Sequence, residues 1–296
     1  PRGVAVTIGV STFPTWNGYP GVFASLATGN PVIVKPHPET ILPLALLVRT
    51  ARGVLAEAGF DPNVVQLLVD TPDALVAKDL VLRPEVAIVD YTGGSAFGEW
   101  LETNATHAQV YTEKAGVNSV ILDSADDLGP VFRNLSVSMS MYSGQMCTTP
   151  QNLFIPETVR VGGEDVPFST VAEGFVAAVD GLLGDDARAA GILGAIKGSA
   201  TVDRLDTAAS TGTVRSPSRV VANPDFPEAV VRTPVIVEVD ASVDAYRSEM
   251  FGPVIYLVRT ATTSDAIGAA RDAALGAGAI TWLAYTTDDA VMDEVV

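Results

Sequence analysis

The first 105 residues alternate short β-branched apolar runs with stretches of helical spacing, and this alternation limits the fold more than any other feature. Residues 3–10, 31–34, 64–69 and 86–89 read as buried strands. Residues 21–27 read as a short helix behind a turn over 11–20. Leu44, Leu47, Val48, Ala51 and Leu55 follow helical spacing, with Gly59 as the stop. Thr71-Pro72 reads as the opening of a helix to Lys78, and Thr92-Gly93-Gly94-Ser95 leads into another ending near Thr103. Strands that alternate with helices in this way pair in parallel and are covered on both faces. Beyond Glu113 the pattern is similar in kind. Strands are expected at 117–122, 152–155, 219–222, 233–239, 254–258 and 280–285. Helices are expected at 131–142 and 170–183, and from Ser264 as cap to about Ala274. The fold class is therefore α/β with two domains, a length of 296 residues suiting that number. The boundary falls near Lys114, giving domains over 1–114 and 115–296.

The stretch Ser143-Gly144-Gln145-Met146-Cys147-Thr148-Thr149-Pro150 holds the only cysteine. A lone cysteine is more often buried packing than chemistry. At a tight turn, however, backbone N–H groups lower a thiol's pKa, and the thiolate is the nucleophile. The same N–H groups can face an oxyanion. One cysteine excludes an internal disulfide and a cysteine-based zinc cluster, and only His37 and His107 remain for other metals. With 35 acidic against 18 basic residues the net charge is −17, which repels nucleic acid and anionic lipid. No apolar run reaches the roughly 18 residues of a membrane span, and no leader is evident. A reducing, cytoplasmic setting is expected. The chain opens at Pro1 ahead of a strand and closes at Val296 in an expected helix, so both ends read as cut from something longer.

Five stretches occur in a fixed order: Val34-Lys35-Pro36; Tyr91-Thr92-Gly93-Gly94-Ser95-Ala96-Phe97-Gly98; Glu113-Lys114-Ala115-Gly116; Gly144-Gln145-Met146-Cys147; and Glu249-Met250-Phe251-Gly252-Pro253-Val254. Together they resemble the aldehyde dehydrogenase superfamily over essentially the whole chain. Residues 12–20 and 143–152 resemble more narrowly its phenylacetate-degradation (PaaN-type) branch. The resemblance implies a Rossmann-like NAD(P)-binding domain, lacking its N-terminal part, and an α/β catalytic domain, lacking its C-terminal part. It implies that Cys147 attacks an aldehyde and that Glu113 activates water against the resulting thioester. Glu249, beside Phe251, matches the residue that holds the nicotinamide ribose. Lys35 matches the one that meets the adenosine ribose. Gly93, Gly94 and Gly98 belong to the turn and helix start that face a pyrophosphate.

Several positions depart from the family pattern. Thr12 stands where an oxyanion-stabilising asparagine is usual, and Asn17 lies five residues on. Pro38 stands where NAD-using members carry a glutamate, so NADP or NAD is expected, with NADP slightly favoured. The glycine-rich loop after the third strand is Val69-Asp70-Thr71-Pro72 here. The expected partner is a small-molecule aldehyde from aromatic-acid breakdown, in one version CoA-linked, and the full-length protein is expected to form a homo-oligomer. Two other readings stand beside this one. A CoA-acylating aldehyde dehydrogenase would pass the thioester to CoA, but such enzymes commonly lack the carboxylate present as Glu113. A catalytically silent nucleotide-binding relative is supported by Thr12 and Pro38 and opposed by Cys147 and Glu113.

Overall fold

A computed structural model describes residues 1–296. The chain divides into two compact units, Pro1–Lys114 and Ala115–Val296. The first runs β1 (Val4–Ile8), α1 (Pro14–Ala27), β2 (Val32–Lys35), α2 (Leu42–Glu57), β3 (Val65–Leu67), α3 (Ala77–Val81), β4 (Val86–Thr92), α4 (Ser95–Asn104) and β5 (Gln109–Glu113). Its five strands lie in the order β3-β2-β1-β4-β5, all parallel. The order reverses direction at β1 and β4, which opens a crevice at the strands' C-terminal ends, where ligands bind in such sheets. Val6, Val89 and Leu101 form part of one apolar face, and Val22, Val34, Leu44 and Val65 part of the other; all are fully buried. Each such side chain contributes about 1.5–3 kcal/mol on burial.

The second unit contains β6 (Ser119–Leu122), β7 (Ser124–Ala125), α5 (Leu128–Ser140), β8 (Asn152–Pro156), β9 (Thr158–Val161), β10 (Glu164–Pro167), α6 (Phe168–Leu183), α7 (Asp186–Ile192), α8 (Ser199–Ala209), β11 (Thr213–Ser216), β12 (Val235–Asp240), β13 (Val254–Thr260), α9 (Thr263–Ala277), β14 (Trp282–Tyr285) and α10 (Asp289–Val295). A six-stranded sheet runs β11-β12-β13-β8-β6-β14, parallel except for the antiparallel edge strand β11. Helices α5 and α6 pack through Phe132, Leu135, Val171 and Phe175 into one core, and α8 and α9 through Leu205, Ile267 and Ala270 into another. The architecture is the expected α/β arrangement.

The structure departs from the sequence reading at the element ends, for identifiable reasons. Residues 14–20 are helix rather than turn. Pro14 starts α1, where its fixed φ and missing N–H cost nothing, and Pro20 is absorbed inside the helix. Thr71-Pro72 does not open a helix: the Ala74 N–H donates to the Thr71 carbonyl at 3.0 Å, and Pro72 occupies the second position of that turn, which proline favours. The helix expected to reach Tyr142 ends at Ser140. Thr262, not Ser264, caps α9, through a reciprocal box with Asp265. Residues 219–222 form only local pairing with 231–233 instead of a sheet strand. Strand β5 and the β9–β10 hairpin carry too little apolar patterning to stand out in the sequence.

Between α5 and β8 the backbone of Tyr142, Ser143 and Gly144 is left-handed, with φ of 56°, 54° and 64°. Two of the three are not glycine, so the segment holds a conformation that costs energy and is kept by its surroundings. A Cβ at Gly144 would overlap the Gly252 carbonyl, which is backbone and cannot swing away. Gly144→Ala should therefore destabilise the second unit by about 1–3 kcal/mol. Denaturant unfolding of the variant measures this, and an unchanged midpoint would contradict the account.

Candidate active site

Cys147 is half-buried and sits in a turn closed by the Thr149 N–H donating to the Met146 carbonyl at 3.0 Å. Two carboxamides fix that turn. Asn118, at the foot of β6 and 2% exposed, donates from Nδ2 to the Cys147 carbonyl at 2.6 Å and to the Thr149 carbonyl at 3.1 Å. Its Oδ1 accepts the N–H groups of Ile280 and Thr281 at 2.9 and 2.8 Å. Gln145 donates from Nε2 to the carbonyls of Tyr142 and Ala195 at 3.1 and 3.0 Å, and Ser143 Oγ donates to the Gly194 carbonyl at 2.9 Å. The left-handed run and the turn are thus anchored on both sides, and the cysteine has little backbone freedom.

Glu249 lies in the same unit, lining one narrow slot with Gly116, Met146, Thr149 and Phe251. Its Oε1 accepts the Gly116 N–H at 3.4 Å. Burial holds its carboxyl above the usual value, while the Gly116 N–H and the Arg204 guanidinium oppose that shift. Gln151 aims the segment: Oε1 accepts the Met250 N–H at 2.6 Å and Nε2 donates to the Ser248 carbonyl at 3.1 Å. Arg204 donates to the Phe251 carbonyl at 3.0 Å.

In the first unit, Glu113 ends β5 and accepts a hydrogen bond at Oε2 from Asn17 Nδ2 at 3.1 Å. Asn17 reaches it because residues 14–20 are helical. Thr12 is 8% exposed, just ahead of α1. A cavity of about 340 Å³ is lined by Trp16, Asn17 and Pro20 of α1 and by Asp90, Thr92, Tyr111, Thr112 and Glu113 of β4 and β5. Strand alternation puts Asp90 and Thr92 on one face, and their register partners are Tyr111 and Glu113. Asp90 was not expected from the sequence. Burial raises its carboxyl pKa above the usual value, and the Glu113 charge pushes the same way.

Lys35 ends β2, and its ammonium is not solvated: Nζ lies 2.7 Å from Asp70 Oδ1, with the two side chains 4% and 0% exposed. The contact is ionic rather than an aligned hydrogen bond. Pro38 lies in the turn after β2, where the Thr40 N–H donates to the His37 carbonyl at 2.9 Å. Gly94 is the cap of α4 and offers no capping side chain. A Cβ at Gly93 would overlap the Tyr91 hydroxyl, which donates to the Gly94 carbonyl at 2.9 Å. Burial pushes the Tyr91 phenol up to about 12, so it remains a donor. Gly98 is buried in α4 beneath the Lys114 side chain, whose Cγ a Cβ there would meet at 2.6 Å.

A family model for the aldehyde dehydrogenase family matches residues 1–295. The chain belongs to the aldehyde dehydrogenase family. It is 27% identical over 286 residues to a geranial dehydrogenase of Castellaniella defragrans, covering 95% of this chain and 57% of that protein. It is 24% identical over 280 residues to the aldehyde dehydrogenase LUC3 of a Fusarium species, covering 94% and 58%. The chain thus spans rather more than half the length of these relatives. A crystal structure of an NAD-dependent aldehyde dehydrogenase from Burkholderia multivorans superposes with a TM-score of 0.95 at 47% identity, covering all of this chain and 53% of that one. An NADP complex of a glyceraldehyde-3-phosphate dehydrogenase from Methanocaldococcus jannaschii shares the fold, with a TM-score of 0.76 at 19% identity. No helix is long and apolar enough to cross a membrane.

The raised Asp90 pKa has a stability consequence. A carboxyl whose folded pKa exceeds its unfolded value favours folding only while it is protonated, and that contribution is lost as pH rises through the carboxylate range. Asp90→Asn should therefore raise the melting temperature at pH 7, by a small amount because the group is partly solvated. The gain should shrink toward zero by about pH 3, where the parent carboxyl is itself protonated. Melting curves at both pH values check this; an equal gain at each would show that charge is not the cause.

Proposed function

We propose that the protein carrying this chain oxidises an aldehyde to a carboxylic acid with NAD or NADP as hydride acceptor. In this reading Pro1–Lys114 is the cofactor-binding unit and Ala115–Val296 the catalytic one. The observation that carries it is the turn presenting Cys147, half-open and held by Asn118 and Gln145. The residues of the cofactor unit fit a dinucleotide: a doubly wound parallel sheet, and a helix α4 whose first turn has Gly94 and no side-chain cap, ready for a pyrophosphate. In this reading Lys35 would meet the adenosine ribose, Gly93 and Gly94 the pyrophosphate, and Glu249 with Phe251 the nicotinamide ribose. The cofactor supplies the hydride-accepting ring.

The chain's own residues do the rest. The Cys147 thiolate adds to the aldehyde carbon, and the carbonyl electron pair moves to oxygen as an oxyanion. Thr12 and the turn's N–H groups are the candidate donors to that oxyanion. Loss of hydride from the same carbon re-forms the carbonyl as a thioester. Glu113 takes a proton from water, the hydroxide adds to the thioester, and the C–S bond breaks to release the acid and regenerate the thiolate. Asn17 orients Glu113 through its hydrogen bond at 3.1 Å, a role that fits its position better than direct contact with the oxyanion. Residues 12–20 and 143–152 support an aldehyde from phenylacetate-type aromatic breakdown, with a CoA-linked semialdehyde as the narrower candidate. Sheet edges at β5 and β14 favour a homo-oligomer of the whole protein.

The two chemical steps are separable in the full-length enzyme. Cys147→Ala should reduce cofactor formation to background. Glu113→Gln should release about one reduced cofactor per site in a burst and then turn over about 10²–10⁴-fold more slowly. Mass spectrometry should find the acyl group on the peptide holding Cys147, releasable by hydroxylamine or CoA. Turnover of Glu113→Gln at the parent rate, without the adduct, would remove Glu113 from the mechanism.

A further inference from the structure

The loops that follow β2 and β3 stand side by side at the C-terminal edge of the first sheet, since these strands pair in parallel with Val34 opposite Leu67. This is the end at which a doubly wound sheet holds the adenosine ribose, where a carboxylate suits a free 2′-hydroxyl and an available cation suits a 2′-phosphate. Between Val32 and Ala77, the strand-end loops over 35–41 and 68–76 contribute one lysine, Lys35, and three carboxylates, Glu39, Asp70 and Asp73. Lys35 is not available as a free cation. Its ammonium is paired with Asp70 at 2.7 Å, and Asp70 is itself fixed, its Oδ2 accepting the Val76 N–H at 3.2 Å. Separating such a buried pair leaves two charges unpaired in a poorly solvated place.

His37 adds no positive charge. Its pKa is lowered, first by burial and also by the Lys35 charge, against the opposing pull of Glu39 and Asp70. Its Nδ1 accepts the Glu39 N–H at 3.2 Å, as a neutral ring does. Near pH 7 the ionisable side chains of these two loops therefore sum to a net negative charge. The expectation of NADP rests on the missing carboxylate at Pro38. The loop after β3 supplies a carboxylate of its own, Asp70.

We propose that Asp70, by holding Lys35 in a closed ion pair, makes the site select NAD over NADP. Asp70 acts as a positioning residue, through the lysine and through the sign of the local field. The inference rests on the reading of the first unit as the dinucleotide-binding one.

The test is calorimetric titration of the full-length protein with NAD and with NADP at pH 7.5 and low salt. The parent should bind NAD at least about tenfold more tightly, the size of effect expected from a like charge a few ångströms from the 2′-phosphate. The gap should narrow as salt is added, because the discrimination is electrostatic. Asp70→Asn should strengthen NADP binding about tenfold while leaving NAD within a few-fold. Because that variant strands a buried ammonium and can fail to fold, Glu39→Lys serves as a second probe. Glu39 is exposed, and the change should move the NADP-to-NAD ratio in the same direction. NADP binding equal to or tighter than NAD in the parent would overturn the inference while leaving the cofactor reading intact. So would an equal loss of both affinities in folded Asp70→Asn, which is what a purely structural pair would give. Binding of neither nucleotide would overturn the cofactor reading and the inference with it.

Discussion

The Asn118 carboxamide is the interaction on which the candidate active site depends. One buried side chain uses both of its N–H donors on the carbonyls of Cys147 and Thr149, and both lone pairs of its oxygen on the N–H groups of Ile280 and Thr281. Its hydrogen-bonding capacity is therefore complete. The result is a joint between the cysteine turn and the approach to β14, two segments more than a hundred residues apart in sequence. A fully satisfied buried amide is worth more than its net bond energy, because any displacement of the turn would strand polar groups without water.

The left-handed run Tyr142–Gly144 belongs to the same design. It follows directly on the end of α5 and separates the helix from the cysteine turn. For Tyr142 and Ser143, which carry a Cβ, the left-handed region is intrinsically disfavoured. Contacts to the loop over 194–197 supply the compensation, through Ser143 Oγ and the Gln145 amide. Strain held next to the candidate cysteine, and offset by neighbouring hydrogen bonds, is how a site keeps geometry that local propensity alone would not choose.

Much of this was legible in the sequence. β-branched runs and helical spacing identify most strands of both sheets, because burial on two faces leaves near-continuous apolar strands. The motif order identifies Cys147 and Glu113 as the residues to examine. What escaped was set by partners rather than by pattern. Pro14 and Pro20 suggest a turn until the helix that tolerates them is seen, and only that helix carries Asn17 to Glu113. Lys35 looks like a free ammonium until Asp70 arrives from the loop after β3. Asp90 lies just past the apolar run 86–89, and only the pairing of β4 with β5 shows that the strand continues through it. Asn118 and Gln151 are ordinary amides in sequence, and their importance lies in which backbone groups they meet.

Gly21 shows how such couplings constrain change. It sits on α1 opposite Asp90, and a methyl group there would occupy the space of the carboxylate. The helix can lie this close to β4 only while position 21 has no side chain, and the carboxylate can stay in the cavity only while the helix leaves it room. The two positions therefore form one unit of variation. A side chain added at position 21 would meet the carboxylate until position 90 had shrunk or moved, whereas a change at 90 of equal or smaller size needs nothing at 21, so the route by which this cavity can be remodelled has a required order of steps.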